Sequence, residues 1–371
     1  MDRSLKVNEN EQFATRSSAL PTLAEQLLRE MIAKSGPISW RQAMELALYH
    51  PQAGYYGSTV RPVGRKGDFF TSVSVGSLYG ELIAEVALKV WDALGKPEDF
   101  VIAEQAAHDG QLMADIRAAT THLAFGKNCR FVIVEPQPHY RQAQKHKLGD
   151  TIEWLNSPTE LAGQGLLVCN ELLDAFPVDR IRFEGGKWRE LAIDVIEGQL
   201  TWVSRDWRDE PALPCDLHDG YTTEWHAAAT DWAHAVATSD WKGAVLIADY
   251  GHDAEDYYAP ERAGGSLRRY INHRSDTDVL IQLGEADLTS HINFTAVKAA
   301  FTKASWEVES DLPQGRFLQY ASLDWLKRAP TPEKVRQFMT LTHPSHLGAV
   351  FRSLLMTQGL TKSGPLFKLH P

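Results

Sequence analysis

One short stretch of the chain carries the first information about its architecture: Val101-Ile-Ala-Glu-Gln-Ala-Ala-His-Asp-Gly-Gln-Leu112. It begins as an apolar strand, continues as a turn of small residues and leads into a predicted helix from Gln111 to Thr120. Such an order builds nucleotide and cofactor sites in α/β proteins, because free N–H groups of the helix start lie beside the strand's carboxyl end. The turn has one glycine, Gly110, while Ala106 and His108 stand where glycine-rich turns have no side chain. An α/β fold is predicted, although the match to GxGxxG is weak.

Four apolar runs of strand length favour a parallel sheet covered by helices. They span residues 100–103, 130–135, 165–170 and 244–249. Helices are predicted at 22–33, 39–48, 78–94, 222–238, 332–340 and 348–357, and a β-hairpin at 180–194. The long polar segment after Tyr250 is predicted to be an active-site loop or a disordered excursion.

The bulk composition favours a soluble globular protein and argues against several classes. The 371 residues carry 48 acidic and 38 basic side chains, a formal net charge of −10, which disfavours a nucleic-acid partner. The three cysteines lack CxxC spacing, so neither disulfides nor a metal site are expected. Residues 1–16 are polar and of mixed charge, unlike a signal or transit peptide. No apolar run approaches the roughly twenty residues of a membrane span, so the expected location is cytoplasmic; the oligomeric state is left open.

The order of these patterns predicts three parts of the chain. Residues 1–21 are expected to be a mobile N-terminus, and residues 22–98 a helical N-terminal cap with lid loops. Residues 99–371 are expected to form a Rossmann-like core, with hairpin and loop insertions at about 180–220 and 252–330.

Acidic or amide side chains stand at the carboxyl ends of all four predicted strands. They are Glu104, Glu135, Asn170 followed by Glu171, and Asp249. Carboxyl ends of parallel strands share one edge of the sheet, so these groups are expected to converge there. Glu135 follows Gly110 by 25 residues, close to the roughly twenty that separate a phosphate turn from the acid that binds ribose hydroxyls. The alternative is that acids end strands only because they are solvated there.

Two carboxylates lie three residues apart in Asn170-Glu-Leu-Leu-Asp-Ala-Phe-Pro-Val178. On a helical turn Glu171 and Asp174 would point to one side and form a fork for a planar cation such as a guanidinium group. In the alternative, Asp174 caps a neighbouring helix and only Glu171 faces the pocket. Further along the chain, Asp249-Tyr-Gly-His252 offers an aromatic wall and an imidazole.

A second loop with polar chemistry is Gly67-Asp-Phe-Phe-Thr-Ser72. Its backbone N–H groups, the carboxylate of Asp68 and the hydroxyl of Thr71 are suited to closing over a polar ligand. The structural alternative is that Asp68 and Thr71 cap the helix that follows.

Several of these pieces together resemble one family, the MidA-like (DUF185) S-adenosylmethionine-dependent methyltransferases, which include the mitochondrial complex I assembly factor that methylates arginine. The matching pieces run in the family's order over residues 22–360: Gly54-Tyr-Tyr56, Gly67-Asp-Phe-Phe-Thr-Ser72, Tyr79-Gly-Glu-Leu82, Glu135, Asn170-Glu-Leu-Leu-Asp-Ala-Phe-Pro-Val178, Asp249-Tyr-Gly-His252 and Ala286-Asp-Leu-Thr289 leading to Phe294.

The resemblance implies a class I methyltransferase fold, with a seven-stranded, mostly parallel sheet, a helical N-terminal part and an inserted substrate-facing region. It also implies S-adenosylmethionine as cofactor and an arginine in a protein partner as methyl acceptor, although a small molecule or another protein side chain would place similar demands on the acidic edge. The catalytic carboxylates would be Glu171 and Asp174. The expected cofactor-binding residues are Gly67, Asp68, Thr71, Glu104, Ala106, His108, Gly110, Glu135 and Asn170.

The chain departs from the family in its cofactor turn, where a Glu-Leu-Gly-Pro-Gly-Arg-Gly type sequence is replaced by Glu104-Gln-Ala-Ala-His-Asp-Gly110. A histidine with positive φ in place of glycine would strain the turn by about 1–2 kcal/mol. An alternative function is therefore a catalytically degenerate methyltransferase fold that acts as a binding or assembly module. A nicotinamide-dependent oxidoreductase ranks last, because a dinucleotide turn needs its second glycine for the pyrophosphate.

Overall fold

The computed structural model describes residues 20–57, 60–61, 71–207, 213–214, 216–271, 274–361 and 366. The strands in chain order are β1 Ile38–Ser39, β2 Phe100–Gln105, β3 Arg130–Val134, β4 Ile152–Leu155, β5 Ala162–Asn170, β6 Asp179–Glu184, β7 Lys187–Ile196, β8 Gln199–Asp206, β9 Thr222–Trp225, β10 Asp240–Asp249, β11 Gly251–His252, β12 Arg268–Ile271, β13 Arg274–Asp276, β14 Asp287–Thr289, β15 Ile292–Asn293, β16 Glu307–Pro313 and β17 Arg352–Gln358. The helices are α1 Leu23–Ser35, α2 Trp40–Tyr49, α3 Leu78–Ala93, α4 Gln111–Thr120, α5 Pro138–Leu148, α6 Ala227–Ala237, α7 Ala254–Tyr257, α8 Phe294–Lys303, α9 Gln314–Ala321, α10 Leu323–Leu326 and α11 Pro332–Thr342.

Seven strands form the central sheet in the order β16-β17-β10-β5-β2-β3-β4. The run from β10 to β4 is parallel, whereas β17 is antiparallel to both β10 and β16. The carboxyl ends of β10, β5, β2 and β3 therefore meet at one edge, as the sequence predicted. This strand order, with a single reversed strand, confirms the class I methyltransferase fold.

Helices cover both faces of this sheet, and the side chains of β2 pack against the helices on each face. Phe100 and Ile102 pack in one apolar cluster with α3, α4 and α9. Val101 and Ala103, on the opposite face, pack with α6 and α8. Because side chains alternate along a strand, the continuous apolar run of β2 supplies both layers. Helix α3, which the sequence grouped with the N-terminal cap, packs directly on this sheet.

The N-terminal helices begin where the sequence placed them. The Thr22 side chain accepts a hydrogen bond from the Glu25 amide at the start of α1. Ser39 and Gln42 form a capping box at the start of α2, the arrangement that satisfies two otherwise unpaired N–H groups. Strand β1 between these helices pairs with β7 in a second, five-stranded sheet. The N-terminal part and the inserted hairpin of β6 and β7 are thus joined by backbone hydrogen bonds.

Two segments predicted as helix form strands instead. The helix expected at 222–238 begins only at Ala227, because Thr222–Trp225 is strand β9, paired with β6; its β-branched threonines suit a pleated surface. The segment expected to be helical at 348–357 contains β17, which lies between β10 and β16. Its middle residues are buried, and a short apolar run of this kind does not distinguish a core strand from a helix by periodicity.

The segment after Tyr250, through Asp276 to Leu288, was predicted as an active-site loop or a disordered excursion, and its described residues are ordered. They contain helix α7, strands β11 to β13 and the start of β14, and Tyr270 and Asp287 of this segment line the candidate pocket described below. Strands β13, β12 and β14 form a separate antiparallel sheet, in which Arg268 faces Thr289 and Tyr270 faces Asp287. Tertiary pairing, which local polarity does not reveal, orders this region. Within the described part of the chain, no helix is long and apolar enough to cross a membrane.

Candidate cofactor and acceptor sites

The turn after β2 keeps a glycine-type backbone although two of its glycines are replaced. Ala106, His108 and Gly110 have φ angles of 66°, 47° and 85°. A left-handed conformation costs a residue with a side chain about 1 kcal/mol or more. A Cβ at Gly110 would come within 2.8 Å of Leu148 Cδ1, so a larger residue there would also require the Leu148 side chain to shift. The turn thus retains the shape of a cofactor loop at a cost in backbone strain.

Helix α5 holds this strained turn. The Gln144 Nε2 group donates to the His108 carbonyl at 2.9 Å, and Lys147 Nζ donates to Asp109 Oδ2 at 2.6 Å. Asp109 Oδ1 in turn accepts from the Gln111 amide at 3.1 Å, at the start of α4. Neighbouring side chains therefore hold the conformation that glycine would adopt freely.

The imidazole of His108 is engaged by the N-terminal part of the protein. His108 Nε2 lies 2.7 Å from the Arg61 carbonyl oxygen, and the ring packs at a tilt against Tyr140 with centroids 5.5 Å apart. The Arg61 guanidinium lies 4.4 Å from the centre of the Tyr55 ring, and its Nε donates to the Tyr55 carbonyl at 3.1 Å. His108 therefore links the cofactor turn to the chain segment that precedes the lid loop.

Two strand-end groups carry buried oxygen atoms without a hydrogen-bond partner among the described residues, Glu104 Oε2 and Asn170 Oδ1. The Glu104 side chain is buried at the end of β2, and burial raises its pKa to about 8. Asn170 ends β5, and its Nδ2 donates to Glu171 Oε1 at 2.9 Å. A buried acceptor left unpaired costs about 1–3 kcal/mol, so both oxygens fit a ligand that carries N–H donors.

Two hydrogen bonds orient the carboxylate of Glu135 at the end of β3. Its Oε1 accepts from the Gln137 amide at 2.9 Å, and its Oε2 accepts from Gln144 Nε2 at 3.3 Å. Burial raises the pKa of its carboxyl group, and these hydrogen bonds act in the opposite direction. Each carboxylate oxygen has a further lone pair, so the group is able to accept from vicinal hydroxyls such as those of a ribose.

The second loop of the sequence analysis is described only in part. Gly67 and Asp68, both predicted to bind the cofactor, lie outside the described residues. The Thr71 hydroxyl accepts from the Ser74 amide at 3.2 Å, and the Ser74 hydroxyl donates to the Thr71 carbonyl at 2.7 Å. These bonds lie at the start of the short 3₁₀ turn Val73–Val75, and neither this turn nor the following helix has a side-chain cap among the described residues.

Glu171 and Asp174 line one pocket, which is partly open to solvent. The two carboxylates meet on an irregular turn, not on the helical turn that the sequence suggested. Asp249 shapes this turn, since its Oδ2 accepts from the amides of Leu172 and Leu173 at 3.1 and 2.8 Å. The Asp174 carboxylate faces the pocket, so the alternative in which it only caps a helix does not hold.

Burial and mutual repulsion set the charge of this pocket. Burial, with a contribution from Asp249, raises the pKa of Glu171 to about 8. The pKa of Asp174 is also raised, by burial first and then by Asp249 and Glu171. The pKa of Asp249 is raised to about 7 by burial. A cationic ligand would favour the ionised forms of all three, because it supplies the missing opposite charge.

Sequence reasoning missed most of the remaining wall. Tyr250 was predicted as an aromatic wall and does line the pocket. His252 does not line it but lies behind His291, with His252 Nε2 and His291 Nδ1 3.2 Å apart. The lining residues that the sequence did not assign to the site are Tyr56, Tyr270, Asp287, Thr289, Ser290 and His291. Tyr56 and Asp287 belong to the family-like motifs at residues 54–56 and 286–289, which were the available signal.

The two sites adjoin, because the hydrogen bond between Asn170 and Glu171 joins the cofactor edge to the acidic pocket. A strained turn before a helix, orphaned acceptors and a ribose-type acid lie at the carboxyl edge of a seven-stranded sheet with one reversed strand. This fold and this site define a class I, S-adenosylmethionine-dependent methyltransferase. The chain belongs to the family described as "Putative S-adenosyl-L-methionine-dependent methyltransferase", whose family model matches residues 82–310.

Relatives and solved structures agree with this assignment. The chain is 28% identical to the "Protein arginine methyltransferase NDUFAF7 homolog, mitochondrial" of Drosophila melanogaster, over 91% of this chain and 85% of the relative. It is 28% identical to the corresponding protein of Homo sapiens over 73% of this chain and 68% of the relative. A crystal structure from Burkholderia thailandensis, of a "likely methyl transferase" bound to S-adenosyl-homocysteine, is similar with a TM-score of 0.83 and 25% identity, covering 95% of this chain and 98% of that one.

Proposed function

We propose that this methyltransferase transfers a methyl group to the side chain of an arginine in a protein substrate. The observation that carries the proposal is the pocket beside Asn170, in which Glu171, Asp174 and Asp287 stand among three tyrosines. The proposal is supported by the relatives of this chain, which are named protein arginine methyltransferases. The cytoplasmic location stays a prediction, since the names of both relatives place those proteins in mitochondria.

The chemistry of the pocket matches a guanidinium group better than an ammonium group. A guanidinium is planar and presents several N–H donors in a fixed fork, which suits carboxylates placed on more than one side. Glu171 and Asp174 come from the turn after β5, and Asp287 from β14, where Tyr56 Oη donates to its Oδ1 at 2.9 Å. The rings of Tyr250 and Tyr270 offer π faces to the same cation.

The proposed step is an in-line displacement at a methyl carbon. Bound S-adenosylmethionine supplies that carbon on a sulfonium; an N–C bond forms, the C–S bond breaks, and S-adenosyl-homocysteine leaves. Such a step depends mainly on alignment and the exclusion of water. The Glu171 carboxylate orients the attacking nitrogen and takes the proton that the guanidinium loses. Burial raises its pKa to about 8, near the value at which general bases work best in neutral solution.

The test uses the full chain with isotope-labelled S-adenosylmethionine and peptides that differ only in carrying arginine, lysine or alanine at one position. We expect labelled methyl on the arginine peptide alone, located by mass spectrometry. Glu171→Gln should lower kcat by about 10²-fold or more and leave the S-adenosyl-homocysteine affinity within about twofold, measured by calorimetry. Glu135→Ala should lose about tenfold or more of that affinity, because a hydrogen bond to a charged group contributes about 1.5–3 kcal/mol.

The results test the acceptor assignment and the ribose role of Glu135 separately. Transfer to lysine, or no transfer to any peptide by a chain that binds S-adenosyl-homocysteine, would remove arginine as the acceptor. Unchanged affinity in Glu135→Ala would remove the ribose role of that carboxylate.

A further inference from the structure

Arg268 lies beside the wall of the acidic pocket, and the proposed step does not use it. Arg268 lies on β12 directly opposite Thr289, and Tyr270 on the same strand lies opposite Asp287. Residues two apart on a strand, and residues directly opposite across strands, share one face of a sheet. Thr289, Tyr270 and Asp287 all line the pocket. The register therefore places Arg268 on the lining face, beside the pocket wall.

The charge of Arg268 is not neutralised within the described part of the chain. Its Nη1 donates to the Leu267 carbonyl at 2.8 Å, and none of the ion pairs among the described residues involves it. Arg269, on the opposite face of the same strand, pairs with Asp276. The protein thus neutralises the arginine that points away from the pocket and leaves the one beside it available.

A second arginine, Arg262, is separated from the pocket by two histidines. Its Nη2 lies 3.5 Å from His252 Nδ1, and His252 Nε2 lies 3.2 Å from Nδ1 of His291, which lines the pocket. Burial lowers the pKa of His252, and burial together with His252 and Arg262 lowers that of His291 to about 4. The histidines are neutral at physiological pH, so the positive charge next to the pocket wall comes from Arg268.

An unpaired arginine beside a negative pocket selects against a substrate that carries only positive charge. A lone arginine is attracted by the carboxylates inside the pocket and repelled by Arg268 beside it. An arginine with an acidic neighbour matches both regions, because a carboxylate can accept two parallel hydrogen bonds from a guanidinium group. Rim charges act mainly on selection and on the rate of encounter.

We infer that the protein substrate carries an aspartate or glutamate within two residues of the target arginine, and that Arg268 binds that carboxylate. The inference rests on the proposed function and specifies which arginines the enzyme selects.

The experiment compares three peptides of identical length around one arginine, flanked by glutamate, by glutamine or by lysine. Methyl transfer by the full chain gives kcat and KM, and fluorescence anisotropy on the chain saturated with S-adenosyl-homocysteine gives Kd. We expect KM and Kd for the glutamate peptide to be about tenfold lower than for the glutamine peptide, from one charge-assisted contact of about 1.4 kcal/mol. The lysine peptide should bind more weakly than either.

Variants of Arg268 test whether this residue causes the preference for the glutamate peptide. Arg268→Gln should abolish most of it through KM, and Arg268→Glu should reverse it in favour of the lysine peptide, which is a gain that misfolding does not produce. Arg316→Gln is the matched control, since Arg316 is on α9 and outside the pocket wall; it should keep the wild-type preference.

Equal KM and Kd for the glutamate and glutamine peptides would overturn the inference, as would an unaltered preference in Arg268→Glu or failure to bind either peptide. These results are distinct from failure of the proposed function. If arginine peptides are methylated without regard to flanking charge, the acceptor assignment stands and the selectivity does not. If alanine in place of the target arginine is tolerated in binding and methyl is found elsewhere, the acceptor assignment fails.

Discussion

His108 and Ala106 show how single residues can replace glycines in a cofactor turn without changing its course. Both keep positive φ angles, so the strain expected from the sequence is present. The imidazole itself has a partner in the protein, since the Arg61 carbonyl oxygen lies 2.7 Å from His108 Nε2. A strained residue of this kind persists only where its surroundings over-determine its conformation.

At this scale we predict opposite effects of two neighbouring glycine substitutions. Ala106→Gly should raise the free energy of unfolding by roughly 0.5–1 kcal/mol, because relief of the left-handed strain exceeds the added entropy of the unfolded chain. Ala107→Gly is the control: Ala107 is buried and is not among the residues with positive φ, so it should lower the free energy of unfolding. Urea denaturation measures both. Destabilisation by both substitutions to the same extent would contradict the strain at Ala106.

At the scale of elements, helix α5 stabilises the altered turn after β2 through hydrogen bonds. The fully buried side chain of Gln144 donates from Nε2 to the His108 carbonyl and to Glu135 Oε2, and its Oε1 accepts from Trp154 Nε1 at 2.9 Å. One side chain on this helix thus joins the turn after β2, the acid after β3 and strand β4. The sequence analysis assigned no role to this residue, since a glutamine in a polar helix carries no motif.

We predict that Gln144→Leu weakens cofactor binding and stability together. The substitution leaves the His108 carbonyl and the Trp154 N–H without their partner, at about 1–3 kcal/mol for each buried group. The affinity for S-adenosyl-homocysteine should fall by about tenfold or more, measured by calorimetry, and the urea midpoint should drop. Gln137→Ala, at the N-cap of the same helix, is the control, because the Glu135 contact uses the Gln137 backbone amide. Wild-type affinity in Gln144→Leu would show that α5 does not hold the turn.

At the scale of the whole molecule, the cofactor and acceptor sites form one buried acidic region. Burial raises the pKa of Glu104 and of Glu171 to about 8, and that of Asp249 to about 7. Carboxyl groups in the unfolded chain titrate near 4. The folded protein therefore binds more protons than the unfolded chain at neutral pH, and its stability falls as the pH rises.

We predict that the ligand-free chain loses stability between pH 7 and pH 8.5, as Glu171 and Glu104 ionise in the folded state. The stabilising contribution of their protons is complete below about pH 4.5 and is lost as the pH passes through about 8. Histidines add little in this window, since they are already deprotonated in the unfolded chain. Glu171→Gln should reduce the loss, whereas Glu153→Gln at an exposed position should not. Urea midpoints at both pH values measure the effect, and identical slopes in wild type and Glu171→Gln would exclude it.

Several helices and strands were predictable because their sequence signals lie within the element itself. The helix from Gln111 to Thr120, the hairpin of β6 and β7 and the capped helices α1 and α2 follow from periodicity, turn residues and caps. The strands β9 and β17 were not predictable, because their apolar or β-branched residues fit either structure and only pairing with β6, β10 and β16 decides. The same holds for the three-stranded sheet that carries Arg268 and Asp287.

The sequence by itself determined the α/β class, the strand-turn-helix at residues 101–120 and the acids at four strand ends. These depend on local spacing and on the rule that parallel strands end at one edge. Only the tertiary structure decided the sign of φ at His108, the use of Gln144 and the composition of the acceptor pocket. That pocket depends on contacts such as Tyr56 to Asp287, 231 residues apart, and contacts of this range exist only once the sheets have paired.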